Sequence, residues 1–361
     1  MKRGAMNCLM GGQAGSESKG KMSALLMDKF NLRAIAGNMS PNAGHTVIKD
    51  GIKHITYHIP AGVYGVRNPK DAGVILGPAS IINPSILMEE IRKLEEWGVK
   101  PERIVVDDRA TIITQDMIRK EQEGMTKIGS TAQGVGEARC AAIMRINCVR
   151  AGSIKELKPY THHDTSKLVR MRLEHEATLM YEMSQGFDLC QLHGIDPVYC
   201  TSRVVSPMQA LADMGVPAKY LGDVYAVIRP YPIRVNNRDG SSGPYPSKEI
   251  TWEEVRERCG APHDITEITT TTKLTRRVFE FAWERMRTMV SVCAPDFLVL
   301  QLANYIAWDC YGTTAKSGLG RKVMDFVERL ERETGVPVAY VGTSEDHKGM
   351  VDMGIDGLED K

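Results

Sequence analysis

Two short stretches near the N-terminus hold the residues best suited to chemistry on a phosphorylated substrate. The run Met6-Asn7-Cys8-Leu9-Met10 leads into Gly11-Gly12-Gln13-Ala14-Gly15-Ser16-Glu17-Ser18-Lys19-Gly20-Lys21, and a helical segment containing Leu25, Leu26 and Met27 follows. Strand, glycine-rich loop and helix in this order aim backbone N–H groups and a helix N-terminus at phosphate oxygens. Gly15 to Lys21 satisfies G-x4-G-K, but Met22 stands where a magnesium-binding Ser or Thr is usual. By itself the loop reads equally as a phosphate cradle or a plain glycine-rich turn. The second stretch is Asn42-Ala43-Gly44-His45-Thr46. A histidine in a glycine-containing turn can present its ring as hydrogen-bond donor or general acid. Standing alone, a solvated loop histidine is the more ordinary reading.

The elements that must position these groups follow an alternating pattern. Leu87, Ile91 and Leu94 share one helical face, Gly98 supplies a stop, Pro101 prevents resumption, and Arg103 to Val106 reads as the next strand. Val323, Phe326, Val327 and Leu330 form another helix stripe, with a strand from Val336 to Val341 after it. Short apolar runs alternating with helical patterns indicate an α/β fold around a largely parallel sheet. Two stretches read as long loops, Asn236 to Ser247 and the threonine run Thr269 to Thr272 continuing to Arg277. No linker or repeat divides the 361 residues, so a single domain over 1–361 is expected.

Composition excludes several classes. Hydrophobic residues at 42% and charged residues at 25% fit an ordinary globular chain and not a disordered one. A net charge of +1 gives no support for binding duplex nucleic acid or an anionic membrane. No apolar run is long enough to span a bilayer, and the N-terminus lacks a secretory apolar core, so a cytoplasmic location is expected. The eight cysteines include no CxxC pair. Cys190 and His193 make one CxxH without a second pair, so disulfides and structural zinc are set aside.

Taken together, these stretches resemble adenylosuccinate synthetase. Gln13 to Lys21 looks like that family's QWGDEGKGK loop, and Asn42 to Thr46 matches its NAGHT segment without change. Ile59 to Gly62, Ile128 to Thr131 with Gly134 to Gly136, Ser184 to Gly186, the threonine run with Arg276-Arg277, and Gly335 to Pro337 continue the resemblance in the family's order. The resemblance implies a two-step ligation: a nucleoside triphosphate phosphorylates the 6-oxo group of a purine nucleotide, then aspartate displaces the phosphate. It implies one α/β domain with its active site in loops at one edge of the sheet. Lys19 would neutralise the transferring phosphoryl and His45 would donate to the 6-oxygen or γ-phosphate, with Ser16 the third catalytic position. Gly15, Glu17, Ser18, Lys19, Gly20, Lys21, Thr46, Gln301, Asn304, Gly342 and Thr343 would bind the triphosphate donor. Asn42, Ser130, Thr131, Gln185, Cys200 and Thr201 would hold the acceptor nucleotide with Ser16, and Arg145 would reach it from a homodimer partner. Thr270, Thr271, Thr272 and Arg276 would take the aspartate carboxylates, a task suited to the forked donors of Arg. Magnesium would sit near Ser16 and the Gly44 carbonyl.

Three departures from the family pattern bear on substrate. The loop aspartate of GDEGKGK is Ser16 here, which is smaller, can donate a hydrogen bond and leaves room for an amine at purine C2. The TKLD motif that reads a guanine donor corresponds to Leu300 to Asn304, which carries no acid, and Gln or Asn suits an adenine edge. The arginine that touches ribose in the family falls at Leu274, which is compatible with a deoxyribose. These departures resemble the family's phage branch, which makes N6-succino-2-amino-2′-deoxyadenylate from dGMP, L-aspartate and ATP. ATP and dATP are not distinguished. An ordinary synthetase using IMP and GTP, and a silent nucleotide-binding homologue, are the alternatives.

Overall fold

The computed structural model describes residues 1–237, 240–269, 273–346 and 348–355. Among the described residues, ten strands form one sheet in the spatial order Met350–Asp352, Val338–Gly342, Phe297–Leu300, Leu221–Ile228, Met6–Gly11, Leu179–Gly186, Ala34–Gly37, Gly73–Leu76, Ile104–Asp107 and Thr161–His162. Every pairing is parallel except that between Val338–Gly342 and Met350–Asp352. A parallel sheet must be covered on both faces, and its central strands here are accordingly buried and largely apolar. The Met6–Gly11 strand shows how the pleat divides the core. Leu9 joins Ile35, Val74 and the helix residues Met22 and Leu26 on one face, while Cys8 and Met10 join Leu211, Met289 and Val323 on the other.

The expected helices form where their patterns place them. Helix Pro84–Trp97 is capped by Asn83, whose side chain accepts from Ser85 and Ile86 N–H at 3.1 and 3.3 Å, and it stops at Gly98 with φ of 110°. Helix Gly320–Thr334 buries Val323, Val327 and Leu330. Two strand starts differ from expectation, and proline explains both. Pro101 opens a 3-10 turn through Arg103, so that strand is Ile104–Asp107. Pro337 has no N–H for the ladder, and that strand runs Val338–Gly342.

Candidate active site

The two N-terminal motifs meet above the carboxyl ends of the central strands, where open parallel sheets place their ligands. The glycine-rich loop leaves the Met6–Gly11 strand and turns at Gly15, φ 104°, before helix Lys19–Lys29 begins. The loop cannot lift away from the sheet, because Gln13 clamps it. Its side chain donates to the Arg229 carbonyl at 3.0 Å and accepts the Arg229 N–H at 2.9 Å. At Gly186 a Cβ would stand 2.1 Å from the Gln13 carbonyl, so only glycine allows this approach of loop to strand end. Gln185, just before it, holds a left-handed φ of 69°, a strained value of the kind stored at ligand sites.

Two adjoining clefts result, in contact where Gly15 packs on Gln185 and Gly186. The first is lined by Asn42, Ser130, Thr131, Gln185, Cys200 and Thr201, together with Leu189, Tyr199, Arg234 and Val235. Its loop 129–134 is pinned by Glu121, whose carboxylate accepts the N–H groups of Gly134, Gly136 and Glu137 at 2.7, 2.5 and 3.2 Å. Arg234 turns its guanidinium to the carbonyls of Tyr199 and Pro244, at 3.1 and 3.5 Å. The polar groups left for a ligand are mainly neutral hydroxyls and amides. Arg145 is not part of this cleft in its own chain. It caps helix Val135–Met144 in a left-handed conformation and is exposed among Ile143, Met144 and Ile146.

The second cleft is dense in charge. Gly15, Ser16, Ser18, Lys19, Gly20, Lys21, Gly44, His45 and Thr46 line it, with Lys53, Arg229, Arg276, Glu267, Tyr305 and Glu345. Lys19 is buried, 3.3 Å from the buried Glu17 carboxylate and 3.0 Å from the Gly15 carbonyl. Glu17 also accepts the Gly15 N–H at 2.6 Å, so its carboxylate faces into the loop and buttresses it. Lys21 donates to the carbonyls of Ser344 and Gly349 at 2.6 and 3.0 Å. Burial lowers the Lys21 amine to about 7 despite the opposing charges of Asp346 and Glu345.

Arg229, Glu267 and Glu182 lie outside every motif in the sequence. Arg229 is fully buried, donates to the Ser16 carbonyl at 3.1 Å and forms a two-armed pair with Glu267. Arg276 lies 3.8 Å from the same carboxylate and the Tyr305 hydroxyl donates to it at 3.3 Å. Burial works to raise the Glu267 carboxyl, but Arg229 and then Arg276 outweigh it and hold it below its usual range. Glu182 lies in the Leu179–Gly186 strand, wholly buried, with one oxygen 2.7 Å from His45 Nδ1 and the other accepting the Gly62 N–H at 2.9 Å. Burial again pushes upward, and the bond to His45 outweighs it, leaving this carboxyl below its usual range. A lone acid within the apolar run Leu179 to Met183 is the sequence signal that could have flagged it.

Behind the second cleft, Gln301, Asn304, Gly342 and Thr343 are buried together at the strand ends. Gln301 Oε1 and Asn304 Oδ1 are buried there without a hydrogen-bond partner among the described residues. Thr270, Thr271 and Thr272 lie outside the described residues. Among the described residues no cluster of His, Cys, Asp and Glu could hold a metal, and no helix is long and apolar enough to cross a membrane. Ser16 and the Gly44 carbonyl offer neutral oxygens in the cleft, which fits magnesium held mainly by phosphate oxygens and water.

A glycine-rich loop clamped to the sheet, a charge-dense cleft and a neighbouring cleft of mainly neutral polar groups are an arrangement that fits a nucleotide-dependent ligase. The chain belongs to the adenylosuccinate synthetase family, whose profile matches residues 8–158 and 149–307. It is 32% identical to adenylosuccinate synthetase of Methanocaldococcus jannaschii, over 96% of each chain. It is 31% identical to that of a Pyrococcus species, over 95% of this chain and 97% of the relative. Among solved structures, the succinoaminodeoxyadenylate synthetase of cyanophage S-2L, bound to dGMP and to dATP as energy donor, superposes with a TM-score of 0.81. The two are 28% identical, over 96% of this chain and 95% of that one. Fully ligated adenylosuccinate synthetase of Plasmodium falciparum shares the fold, with a TM-score of 0.82 at 18% identity, covering 96% and 99% of the two chains. The protein is therefore a ligase that forms a C–N bond between aspartate and a purine nucleotide.

Proposed function

We propose that the acceptor is dGMP and the phosphoryl donor ATP or dATP, and that the product is N6-succino-2-amino-2′-deoxyadenylate, a precursor of diaminopurine for viral DNA. The observation that carries this reading is Ser16, a small neutral residue lining the transfer cleft where the family loop holds an aspartate. A hydroxyl there accepts or donates a hydrogen bond and leaves room for the 2-amino group, which a carboxylate in the same place crowds. The absence of an acid from Leu300 to Asn304, where the family's guanine-reading aspartate would stand, supports an adenine donor, whose edge the Gln301 and Asn304 amides can serve as both donor and acceptor. The likeness to the cyanophage enzyme bound to dGMP and dATP supports both assignments.

In this reading the acceptor nucleotide lies in the first cleft on Asn42, Ser130, Thr131, Gln185 and Thr201, beside Cys200. The donor triphosphate lies along Gly15 to Lys21 and Thr46, with its base toward Gln301, Asn304, Gly342 and Thr343. Lys19 faces the transferring phosphoryl, where positive charge is worth most in the transition state. Arg276, with Thr270 to Thr272, holds the aspartate. Ser16 and the Gly44 carbonyl would hold magnesium, which would supply charge neutralisation at the phosphate oxygens. The exposed Ile143, Met144 and Ile146 around Arg145 support a homodimer in which Arg145 completes the neighbour's acceptor cleft. The whole chain acts as one catalytic domain in the cytoplasm, the host's if the gene is viral.

The archaeal relatives at 32% and 31% identity favour a second reading, an ordinary synthetase using IMP and GTP. A turnover matrix separates the two. IMP, GMP and dGMP are each mixed with ATP or GTP, aspartate and magnesium, and the succinylated product is followed by mass. Product from dGMP with ATP supports the proposal. Product only from IMP with GTP establishes the ordinary reaction, and no product in any mixture establishes a silent homologue.

A further inference from the structure

The lining of the acceptor cleft lacks the charge its proposed ligand calls for. A nucleoside monophosphate carries about two negative charges at neutral pH, and both are on its phosphate. Among the described residues, Arg234 is the one cation in that lining, and its guanidinium is turned to the Tyr199 and Pro244 carbonyls. Positive charge stands instead directly behind the lining. Four segments that wall the cleft each send a near neighbour into one buried cluster. Arg203 follows Ser202, and it donates to the Ser184 hydroxyl, beside Gln185, at 3.0 Å. It also donates to the carbonyl of Asn38, four residues before Asn42, at 2.6 Å. Arg139 lies one helical turn beyond Val135 and Gly136, on the face of helix Val135–Met144 that carries them.

The cluster is short of negative charge. Among the described residues, Asp213 is the carboxylate that both guanidiniums feel, and its oxygens already accept from the amides of Asn38 and Gln209. Arg203 is 4% exposed, and its Nη2 is buried without a hydrogen-bond partner. Nε and Nη2 of Arg139 and the Tyr181 hydroxyl are in the same condition. Burial pulls both arginines below their usual basicity, Arg139 to about 10 with the neighbouring charge of Arg203 adding to the effect. Two buried cations sharing one carboxylate are costly on their own. Their field is also little screened by solvent, so it is felt in the adjoining cleft.

We propose that Arg139 and Arg203 supply, from within the chain, the positive charge that holds the acceptor's 5′-phosphate, which completes the counter-charge that Asp213 leaves short. The buried donors without partners are what a phosphate oxygen satisfies, and the forked guanidinium is the group best shaped to do it. This charge is separate from Arg145, which is exposed on the far end of the same helix. The pair makes the cleft selective for a nucleotide over a nucleoside, while the neutral lining is left to read base and sugar.

The proposal rests on the reading of this cleft as the acceptor's, but not on the choice of base, since IMP and dGMP carry the same phosphate. Binding of each to the full chain is measured by calorimetry over a range of salt concentrations. Arg139→Met keeps the bulk of the side chain without its charge, and Arg139→Lys keeps the charge without the fork. Arg139→Met is expected to weaken monophosphate binding about 10-fold or more and to flatten its salt dependence, with Arg139→Lys recovering most of the loss. ATP binding should stay within about twofold in both variants, because the donor lies in the other cleft. Ligand-free Arg139→Met should melt no lower than wild type, since the buried nitrogens it removes have no partners. Arg203→Met should weaken binding in the same way, but it also releases Asn38 and Ser184, so the Arg139 variants decide. Monophosphate affinity in Arg139→Met within about twofold of wild type overturns the proposal, and so does an equal loss in Arg139→Met and Arg139→Lys. A wild-type protein that binds neither IMP nor dGMP overturns the acceptor reading along with it.

Discussion

The two clefts sit side by side on the same strand ends yet are built on opposite electrostatic principles. The transfer cleft gathers Lys19, Lys21, Lys53, Arg229 and Arg276 against Glu267 and Glu345, and much of that charge is withdrawn from water. The acceptor cleft presents hydroxyls, amides and apolar walls, and its charged members, Arg234 and Glu121, are already spent on backbone groups. Recognition by buried charge is strong but depends on every partner staying in place, because an orphaned buried charge is costly. Recognition by neutral hydrogen bonds is weaker per contact and more tolerant of loss. Substitutions in the two clefts should therefore differ in kind as well as in size.

The largest effect is expected for Lys19→Met. It removes the cation proposed to face the phosphoryl and leaves Glu17 buried without its partner, so turnover should fall by about 10²-fold to 10³-fold in steady-state assays. Glu267→Gln comes next. It strips Arg229 and Arg276 of their shared counter-charge and loosens the hold on the Ser16 carbonyl, and denaturant melts should show a loss of about 3 kcal/mol. A loss below about 1 kcal/mol would erase the contrast drawn between the clefts. On the acceptor side, Thr131→Val should raise the acceptor KM only about fivefold, with kcat unchanged. A fall in kcat of the same size would mean that this hydroxyl acts in the transition state as well.

The smallest effect isolates Lys21. Its amine is lowered from 10.5 to about 7 by burial, so between those pH values the unfolded chain binds more protons than the folded one, and stability rises with pH across that window. The melting temperature of the wild type relative to Lys21→Met should rise by a few degrees from pH 6 to pH 9, a range set by the lowered amine. A flat difference would mean that this buried lysine keeps its ordinary basicity.

Much of this site was legible in local sequence because local geometry makes it. The Gly15 to Lys21 loop and the Asn42 to Thr46 segment are each a short local stretch of chain, and the loop and Gly44 to Thr46 line the charged cleft while Asn42 lines its neighbour. Asn42, Ser130, Thr131, Gln185, Cys200 and Thr201, expected from resemblance across four separate segments to hold the acceptor, are brought by the sheet to one cleft, while Ser16, expected with them, lines the other. The partners that hold the catalytic groups were not legible. Glu182 is 137 positions from His45, Arg229 is 213 from Ser16, and neither spacing carries any periodic signal. Such pairs exist only once the parallel order of the sheet has set strand ends side by side. Strand starts at Ile104 and Val338 were displaced for the simpler reason that proline fixes the turn before them.

The central claim is the choice of acceptor, and competition measures it most directly. Equimolar dGMP and IMP in one vessel with ATP, aspartate and magnesium give the ratio of kcat/KM from the two succinylated products. At least about 100-fold more product is expected from dGMP, the discrimination available to a site built around the 2-amino group. Replacing Ser16 with Asp should shrink that ratio. More product from IMP in the wild-type protein would contradict the account and return Ser16 to the status of an unexplained substitution.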